Sequence, residues 1–466
     1  MPVRTLLFAL AFVACCVGSL VSPIWGLLGY VAHYCIGPER QWWEAPLSRF
    51  GIRYSLTLAA ATMVGIVAHW GKLRYGKTFL TGQEKLLFLF LVLVWASTLL
   101  GGPTEGRYTT VDPPSIKLAK VFIFCLMLTH VVTDLKDLNR LYWVLTLGTL
   151  ILGLEAYNTP RRAFQAGRLE TIGGPDFQHS NVLAAHMVAM LPLIGAQFLR
   201  SRWIGKVITV LAGAFAVNTV VLTRTRGAVV GVAGAVIAAL ALSPGKHRAK
   251  IIAGVAAALV GGFFLVDPGF LNRAGTLQRS QEEMDVSARS RLEIWKGSLQ
   301  LLKDHPLGVG AGNFHQNIGR YVPEMAGRDA HNTFVRCYSE LGVQGITVLG
   351  VLVLNAIYML RKVIRDSAGL PKAQHDSLSL AGYGLAVSIV AMLCCGLTST
   401  VLYTEAMWWL LAMPVCLWRA LENLKAPEVE LATAAKSAKD MFGRDRSAPT
   451  RGLKFSRRSK TAKGTP

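Results

Sequence analysis

Charge is scarce in this chain, and acidic charge is scarcest. Only 16 % of its 466 residues are charged, with 27 Asp and Glu against 49 Lys and Arg, whereas soluble domains run near a quarter charged. No Asp-x-Asp pair occurs and the carboxylates are scattered, so no ready ligand set for a divalent cation is indicated. None of the 8 cysteines forms a Cys-x-x-Cys unit or a Cys/His cluster at zinc spacing, which indicates neither a disulfide framework nor a structural metal. They lie mostly within apolar runs, as buried cysteines often do. No internal repeat is visible, which disfavours transporter folds built from duplicated halves.

What the chain has in abundance is apolar sequence. Hydrophobic residues make up 52 % of it, and its mean hydropathy is +0.40. They fall into the blocks 5–36, 51–70, 84–101, 115–132, 141–157, 180–199, 204–222, 227–243, 251–266, 341–360, 378–397 and 404–418. Crossing a bilayer as a helix takes about 20 residues, so these blocks imply an all-α, polytopic membrane protein with about twelve transmembrane helices. The first block is broken by Pro23 and reads as one span plus a short re-entrant piece. No small-residue cleavage site follows its start, which argues against a removable leader.

Basic residues give the orientation. Lys72, Arg74 and Lys77, then Arg200, Arg202 and Lys206, then Lys246, Arg248 and Lys250 occupy short loops with no acid between them. Together with Arg361, Lys362, Arg365 and the tail after Arg419 they mark the cytoplasmic side, and an even span count puts both termini there. The loops near 37–50, 102–114, 158–179, 223–226 and 267–340 then face outward. In the last of these, nine Lys and Arg balance nine Asp and Glu, as suits a translocated segment. The net charge of +22 is therefore topological and does not indicate nucleic-acid binding. Residues 1–424 form the membrane domain with its 267–340 loop. Residues 425–466 read as a basic, disordered tail able to touch anionic lipid.

The long loop is patterned. Leu292, Trp295, Leu299 and Leu302 recur at helical spacing, which predicts an amphipathic helix over 288–304 that Pro306 ends. A glycine-rich turn follows with Gly308, Gly310 and Gly312, then a second short amphipathic stretch near 315–322. No strand precedes these glycines, so they are not a nucleotide loop. They either admit a substrate close to the backbone or simply turn the chain. Together these pieces make a small helical cap on the outer membrane face.

Several residues could carry chemistry. Arg291 and Trp295 share a helix face one turn apart, and arginine's planar fork suits phosphate oxygens. A solvated arginine beside Glu293 is the plainer reading. Thr223-Arg224-Thr225-Arg226-Gly227 is a very tight outward turn. Its arginines either meet an anionic head group or snorkel at a helix end. In Gly173-Gly174-Pro175-Asp176-Phe177-Gln178-His179-Ser180-Asn181, the default role of Asn181 is to cap the next helix.

His331 is the strongest lead. It stands at a membrane boundary, where an ionisable group is costly unless it acts or finds a partner. Asn332 adjoins it, Glu340 follows about two turns on, and Gly342 and Gly345 would allow close helix approach. Arginines nearby would favour its neutral form, the form a general base needs.

The ordered set Thr225-Arg226-Gly227, Arg291-x-x-x-Trp295, Pro306-Leu307-Gly308-Val309-Gly310 with Asn313-Phe314, and His331-Asn332-x9-Gly342-x-x-Gly345 resembles the bacterial O-antigen ligase/polymerase superfamily. The ligases are the most similar members. The local likeness covers roughly 220–346; elsewhere it extends to span count and topology.

The resemblance implies a metal-independent, inverting glycosyltransferase of the inner membrane, with its site facing the periplasm and no cofactor. The donor would be a glycan on undecaprenyl pyrophosphate, and the acceptor a hydroxyl on lipid A core, a polysaccharide or a protein. By the same likeness His331 would orient or deprotonate that hydroxyl, and Arg226 and Arg291 would hold the pyrophosphate. Asn332, Trp295, Gly308, Gly310, Gly342 and Gly345 would support them. Repeat-unit polymerases and protein O-oligosaccharyltransferases fit the same residues. A flippase of lipid-linked glycans is the alternative of another class, but it would need charges in mid-span, where this chain has few.

Overall fold

Pro23 divides the first apolar block into two helices, α1 (Val3–Val21) and α2 (Ile24–Ile36). Proline lacks the N–H that would continue the ladder. The computed structural model of the protein describes residues 2–73, 78–101, 112–243, 245–265 and 286–443. After α2 come α3 (Ala45–Ser48), α4 (Tyr54–Ala68), α5 (Gly82–Leu100), α6 (Pro114–Val131), α7 (Leu135–Asn158), α8 (Ser180–Arg200), α9 (Trp203–Thr223), α10 (Arg226–Leu242) and α11 (Arg248–Leu265). The remainder is α12 (Val286–Asp304), α13 (Phe314–Asn317), α14 (Thr333–Asp366), α15 (Lys372–Gly396) and α16 (Glu405–Gly443). Among the described residues there is no strand, only an isolated antiparallel bridge between Gln165 and Arg168.

Every apolar block read from the sequence falls on a helix. By length and composition, 8 described helices can cross a membrane, and Tyr54–Ala68 and Arg226–Leu242 are shorter apolar ones. The blocks 141–157 and 404–418 lie within α7 and α16. This is an all-α, multi-pass architecture.

Caps set several starts. Thr81 and Glu84 close a reciprocal capping box on α5, with Glu84 Oε2 accepting from the Thr81 N–H at 2.7 Å. Asp134 caps α7 through the Asp137 N–H at 2.8 Å.

Burial sorts the helices. The apolar window of α15 is 83 % buried, whereas those of α1 and α11 are 11 % and 6 % buried. So α15 runs inside the bundle, against α8, α10 and α14, and α1 and α11 lie at its periphery.

The unit Met1–Asn423 is compact, and Leu424–Pro466 forms a second unit. Helix α16 runs to Gly443, so 425–443 are helical rather than irregular as the tail's composition had suggested. Repeated alanines with Leu, Lys and Glu are good helix formers, and they outweigh the lack of large apolar groups. Residues 444–466 lie outside the described part. So do 266–285 of the long loop, 102–111 of another outward loop, and Arg74 and Lys77.

Within the first unit the loops on one side meet. Arg40 Nη1 donates to the Gly174 carbonyl at 3.2 Å, and the Leu169 N–H to the Leu222 carbonyl at 3.1 Å. Asn313 Nδ2 reaches the Gly101 carbonyl at 3.0 Å. At the opposite end Arg419 joins Glu84 at 3.0 Å and Asn423 joins the Thr133 carbonyl at 2.8 Å.

Candidate functional site

The expected helix at 288–304 is α12, and it packs on a small core of Ile294, Phe314, Ile318, Met325, Ala330 and Val335, with Trp295 against it. Its period-3.6 apolar stripe explains this burial. The Trp295 indole N–H donates to the Ala330 carbonyl at 2.9 Å. That bond fixes the backbone one residue before His331.

His331 itself has a left-handed backbone, φ 47°. This conformation is uncommon for a residue with a Cβ and marks a locally enforced turn. Its N–H donates to Asp329 Oδ2 at 3.2 Å, and its Nδ1 lies 3.6 Å from the same oxygen. The next residue, Asn332, caps α14, its Oδ1 accepting from Phe334 and Val335 N–H groups at 2.9 and 3.1 Å. Asn332 is thus occupied with starting the helix. The cap and the turn together set where the imidazole projects, and 42 % of that side chain is exposed.

Asp329 is locked from several directions. Arg336 Nη1 donates to its Oδ1 at 2.7 Å, and the Thr400 hydroxyl to its Oδ2 at 2.7 Å. His315 Nε2 stands 3.7 Å away. Burial alone would raise its carboxyl, but Arg336, His331, Thr400 and His315 outweigh it and hold the group well below the usual carboxylate range. Arg336 in turn donates through Nε to Glu340 Oε1 at 2.9 Å, and Glu340 takes the Tyr403 hydroxyl at 2.5 Å. Glu340, expected beside the histidine, is fully buried and serves this chain of contacts instead.

Burial pushes the His331 imidazole below its ordinary range. Asp329 opposes that shift, while Arg291, His179 and Arg168 reinforce it. The result is a neutral ring at neutral pH, with an acid on one side and a positive field around it.

Arg226 opens α10 in the expected tight turn. Arg224 adopts the left-handed conformation, φ 48°, and the Thr225 hydroxyl caps α10 through the Ala228 N–H at 3.3 Å. A Cβ on Gly227 would strike the Thr398 and Ser399 side chains. The Ser399 carbonyl accepts from the Thr333 hydroxyl at 2.8 Å. The turn bearing Arg226 and the loop bearing His331 thus meet on the 397–404 connection.

Of the two readings the sequence left open for the glycines, the backbone contacts support the chain turn. Helix α14 is interrupted at Gly342, φ 71° and ψ −168°. The carbonyls freed above the break are taken by the glycine-rich turn: Val309 N–H to Ser339 O and Gly310 N–H to Glu340 O, both 3.0 Å. Below it, Val343 N–H donates to Pro306 O at 3.0 Å. The Gly308–Gly310 turn therefore clasps the break, with Val309 and Gly310 buried. The nearest neighbour of a Cβ on Gly345 would be Leu341 of its own helix.

Asn181 is not a cap. His179 holds that position on α8, and Asn181 Oδ1 accepts from Arg168 Nη2 at 2.9 Å. Sequence reasoning passed over Arg168, and the spacing of Asp329 before His331 and of Arg336 before Glu340 was visible but unused. Thr400 and Tyr403 gave no local signal. Among the described residues, no group of 3 or more His, Cys, Asp and Glu is placed to hold a metal ion.

Residues 211–350 match the O-antigen ligase family model. This stretch, under a third of the chain, is what supports a likeness to the O-antigen ligase superfamily. The match begins in α9, takes in Arg226 and Arg291, and ends in α14 past His331. No curated protein matches the chain. Members of that superfamily are glycosyltransferase-like enzymes.

Proposed function

We propose that this protein transfers a glycan from a polyprenyl pyrophosphate, of the undecaprenyl kind, to an acceptor hydroxyl at the outer face of the bacterial inner membrane. The observation that carries the reading is the His331–Asp329 pair set in a field of arginines at the loop end of the bundle.

With the proton on Nδ1, which lies 3.6 Å from Asp329 Oδ2, a neutral imidazole would keep Nε2 as the proton acceptor. The acceptor hydroxyl attacks the anomeric carbon from the face opposite the pyrophosphate. The bond from that carbon to the phosphate oxygen breaks, and the leaving group takes the electron pair. His331 receives the hydroxyl proton as the new bond forms. Asp329 orients the ring and stabilises the imidazolium.

Negative charge grows on the leaving pyrophosphate, so cations placed there stabilise the transition state more than the ground state. Arg226 and Arg291 supply them. Arg226 stands at the first position of α10, where the helix dipole disfavours a cation. A bound anion meets both the dipole and the guanidinium and removes that conflict.

An apolar cavity of about 670 Å³ supports a lipid-linked donor. It is bounded by α8, α9, α10, α11 and α15 and reaches Val221 and Ala228, next to the Arg224–Arg226 turn. A head group at the turn and a hydrocarbon chain in the cavity would be joined without crossing polar protein.

The test is purified protein in lipid nanodiscs with a polyprenyl-pyrophosphate glycan donor and a hydroxyl acceptor. His331→Ala and Arg291→Ala should fold and insert yet abolish transfer. Wild-type transfer by both would overturn the reading. A reconstituted flipping assay without acceptor should show no translocation.

A further inference from the structure

We propose that Arg168 is a positioning residue of the donor side. It binds the end of α9, the start of α8 and the 159–179 loop into one block, and so fixes the Arg224–Arg226 turn beside the His331 loop. This rests on the glycosyl-transfer reading above.

Its own backbone is held on both sides. Gln165 and Arg168 exchange N–H···O bonds of 2.9 Å each, and the next residue, Leu169, donates to the Leu222 carbonyl at 3.1 Å. Leu169 is fully buried. The guanidinium then spans two helices. Its Nε donates to the Thr223 carbonyl at 3.2 Å, and its Nη2 to Asn181 Oδ1 at 2.9 Å. Thr223 ends α9, whose last carbonyls have no partner within the helix and whose negative dipole end favours a cation. Asn181 lies in the first turn of α8, two residues after His179.

A simple helix cap would need only the first bond. The second ties α8 to α9 with a planar fork that lysine cannot reproduce. The block also gathers cations. A Cβ on Gly167 would lie 3.3 Å from Arg224 Nη1, so Arg224 rests against the Arg168 loop, and Arg226 follows two residues on. Of the two acids of this loop, Glu170 accepts from the Ser180 hydroxyl at 2.8 Å and Asp176 pairs with Lys117. Like charges gathered in this way repel one another, and an anion among them removes that cost. The same field reaches His331 from Arg168, His179 and Arg291, with Asp329 opposing it. Arg168 therefore acts on the leaving group through the turn it holds, and on the base through its charge.

The experiment uses full-length protein in nanodiscs, the same donor and acceptor, and inorganic pyrophosphate as competitor. Losing one charged, hydrogen-bonded group should cost Arg168→Ala about 10- to 100-fold in kcat, with acceptor KM unchanged. Inhibition by pyrophosphate should weaken by a similar factor. The acid limb of the pH–rate profile should move to higher pH, since a cation facing His331 is gone. Arg168→Lys should restore the acid limb, because it keeps the charge. It should not restore kcat, because it loses the fork.

Should Arg168→Ala prove unstable, Arg168→Gln carries the acid-limb comparison, and Arg168→Lys and Asn181→Ala, which keep the charge, carry those of kcat and pyrophosphate inhibition. If the variants lower the melting temperature and activity together, with unchanged acid limb and pyrophosphate inhibition, Arg168 is a helix cap alone and the proposal falls. If they match wild type while His331→Ala is inactive, this proposal fails and the transfer reading stands. If His331→Ala is active as well, the transfer reading is what fails.

Discussion

Gly308 and Gly342 interlock. A Cβ on Gly308 would run into the Glu340 carbonyl, and one on Gly342 into the Pro306 carbonyl and the Leu307 backbone. Both glycines have positive φ, 87° and 71°. The two segments cross with no room for a side chain on either.

Alanine at either position should therefore destabilise the protein by at least about 1–3 kcal/mol from backbone strain, before any clash. Gly350, in the same helix, has nothing within 4 Å of a built Cβ. Gly350→Ala should be neutral or slightly stabilising. Thermal unfolding in detergent compares the three, and equal melting temperatures would contradict the clasp.

Asp329→Asn should shift the pH dependence of transfer. The carboxylate raises the affinity of His331 for a proton, against burial and the arginines. Removing it lowers the pH at which His331 becomes protonated, so the acid limb moves to lower pH. The ring also loses its orienting partner, and kcat should fall by about 10²-fold. An acid limb moving upward would contradict the pairing.

The same group makes a prediction for folding. The Asp329 carboxyl is held below its ordinary range in the native state, so it stabilises the fold above about pH 4, its unfolded value. That contribution is lost as pH falls below this point towards the lower native value. The melting temperature of wild type should drop more steeply than that of Asp329→Asn on acidification. Parallel curves would count against it.

Arg336→Met strips the partner from Glu340, which is fully buried, and from Asp329. A buried carboxylate left without its cation costs about 3–5 kcal/mol. The double variant Arg336→Met with Glu340→Leu should recover part of that loss. A double variant no more stable than Arg336→Met would show that Glu340 is not the group left exposed to the cost.

Trp295→Phe keeps the ring in its cluster and removes only the bond to the Ala330 carbonyl. The expected stability change is about 1 kcal/mol. Transfer should fall further than that figure suggests, because the Ala330 carbonyl anchors the turn that carries His331. Activity equal to wild type would separate the indole from the site.

The helices were legible because apolar period and proline punctuation act locally. Pro23 and Pro306 ended elements where the sequence placed the ends, and Trp295 faced the predicted core. His331, Arg291 and Arg226 were legible as candidates at a membrane boundary. The partners that orient them were not. Thr400 reaches Asp329 across 71 positions, and Thr223 reaches Arg168 across 55. Only packing brings such pairs together. The glycine turn was legible as a turn, but its partner, a break inside a helix that reads as continuous, has no signature beyond Gly342 itself.

That break alters how motion could pass through the protein. The upper segment of α14 carries Asn332, Arg336 and Glu340, and the lower segment belongs to the membrane. Backbone bonds to the glycine turn stitch both to the ground beneath α12. A tilt of the lower segment in the bilayer would thus be delivered to the His331 turn as a displacement rather than absorbed at a loose hinge. On the transfer reading, turnover is then expected to differ between nanodiscs of short- and long-chain lipids, and equal turnover would count against this coupling.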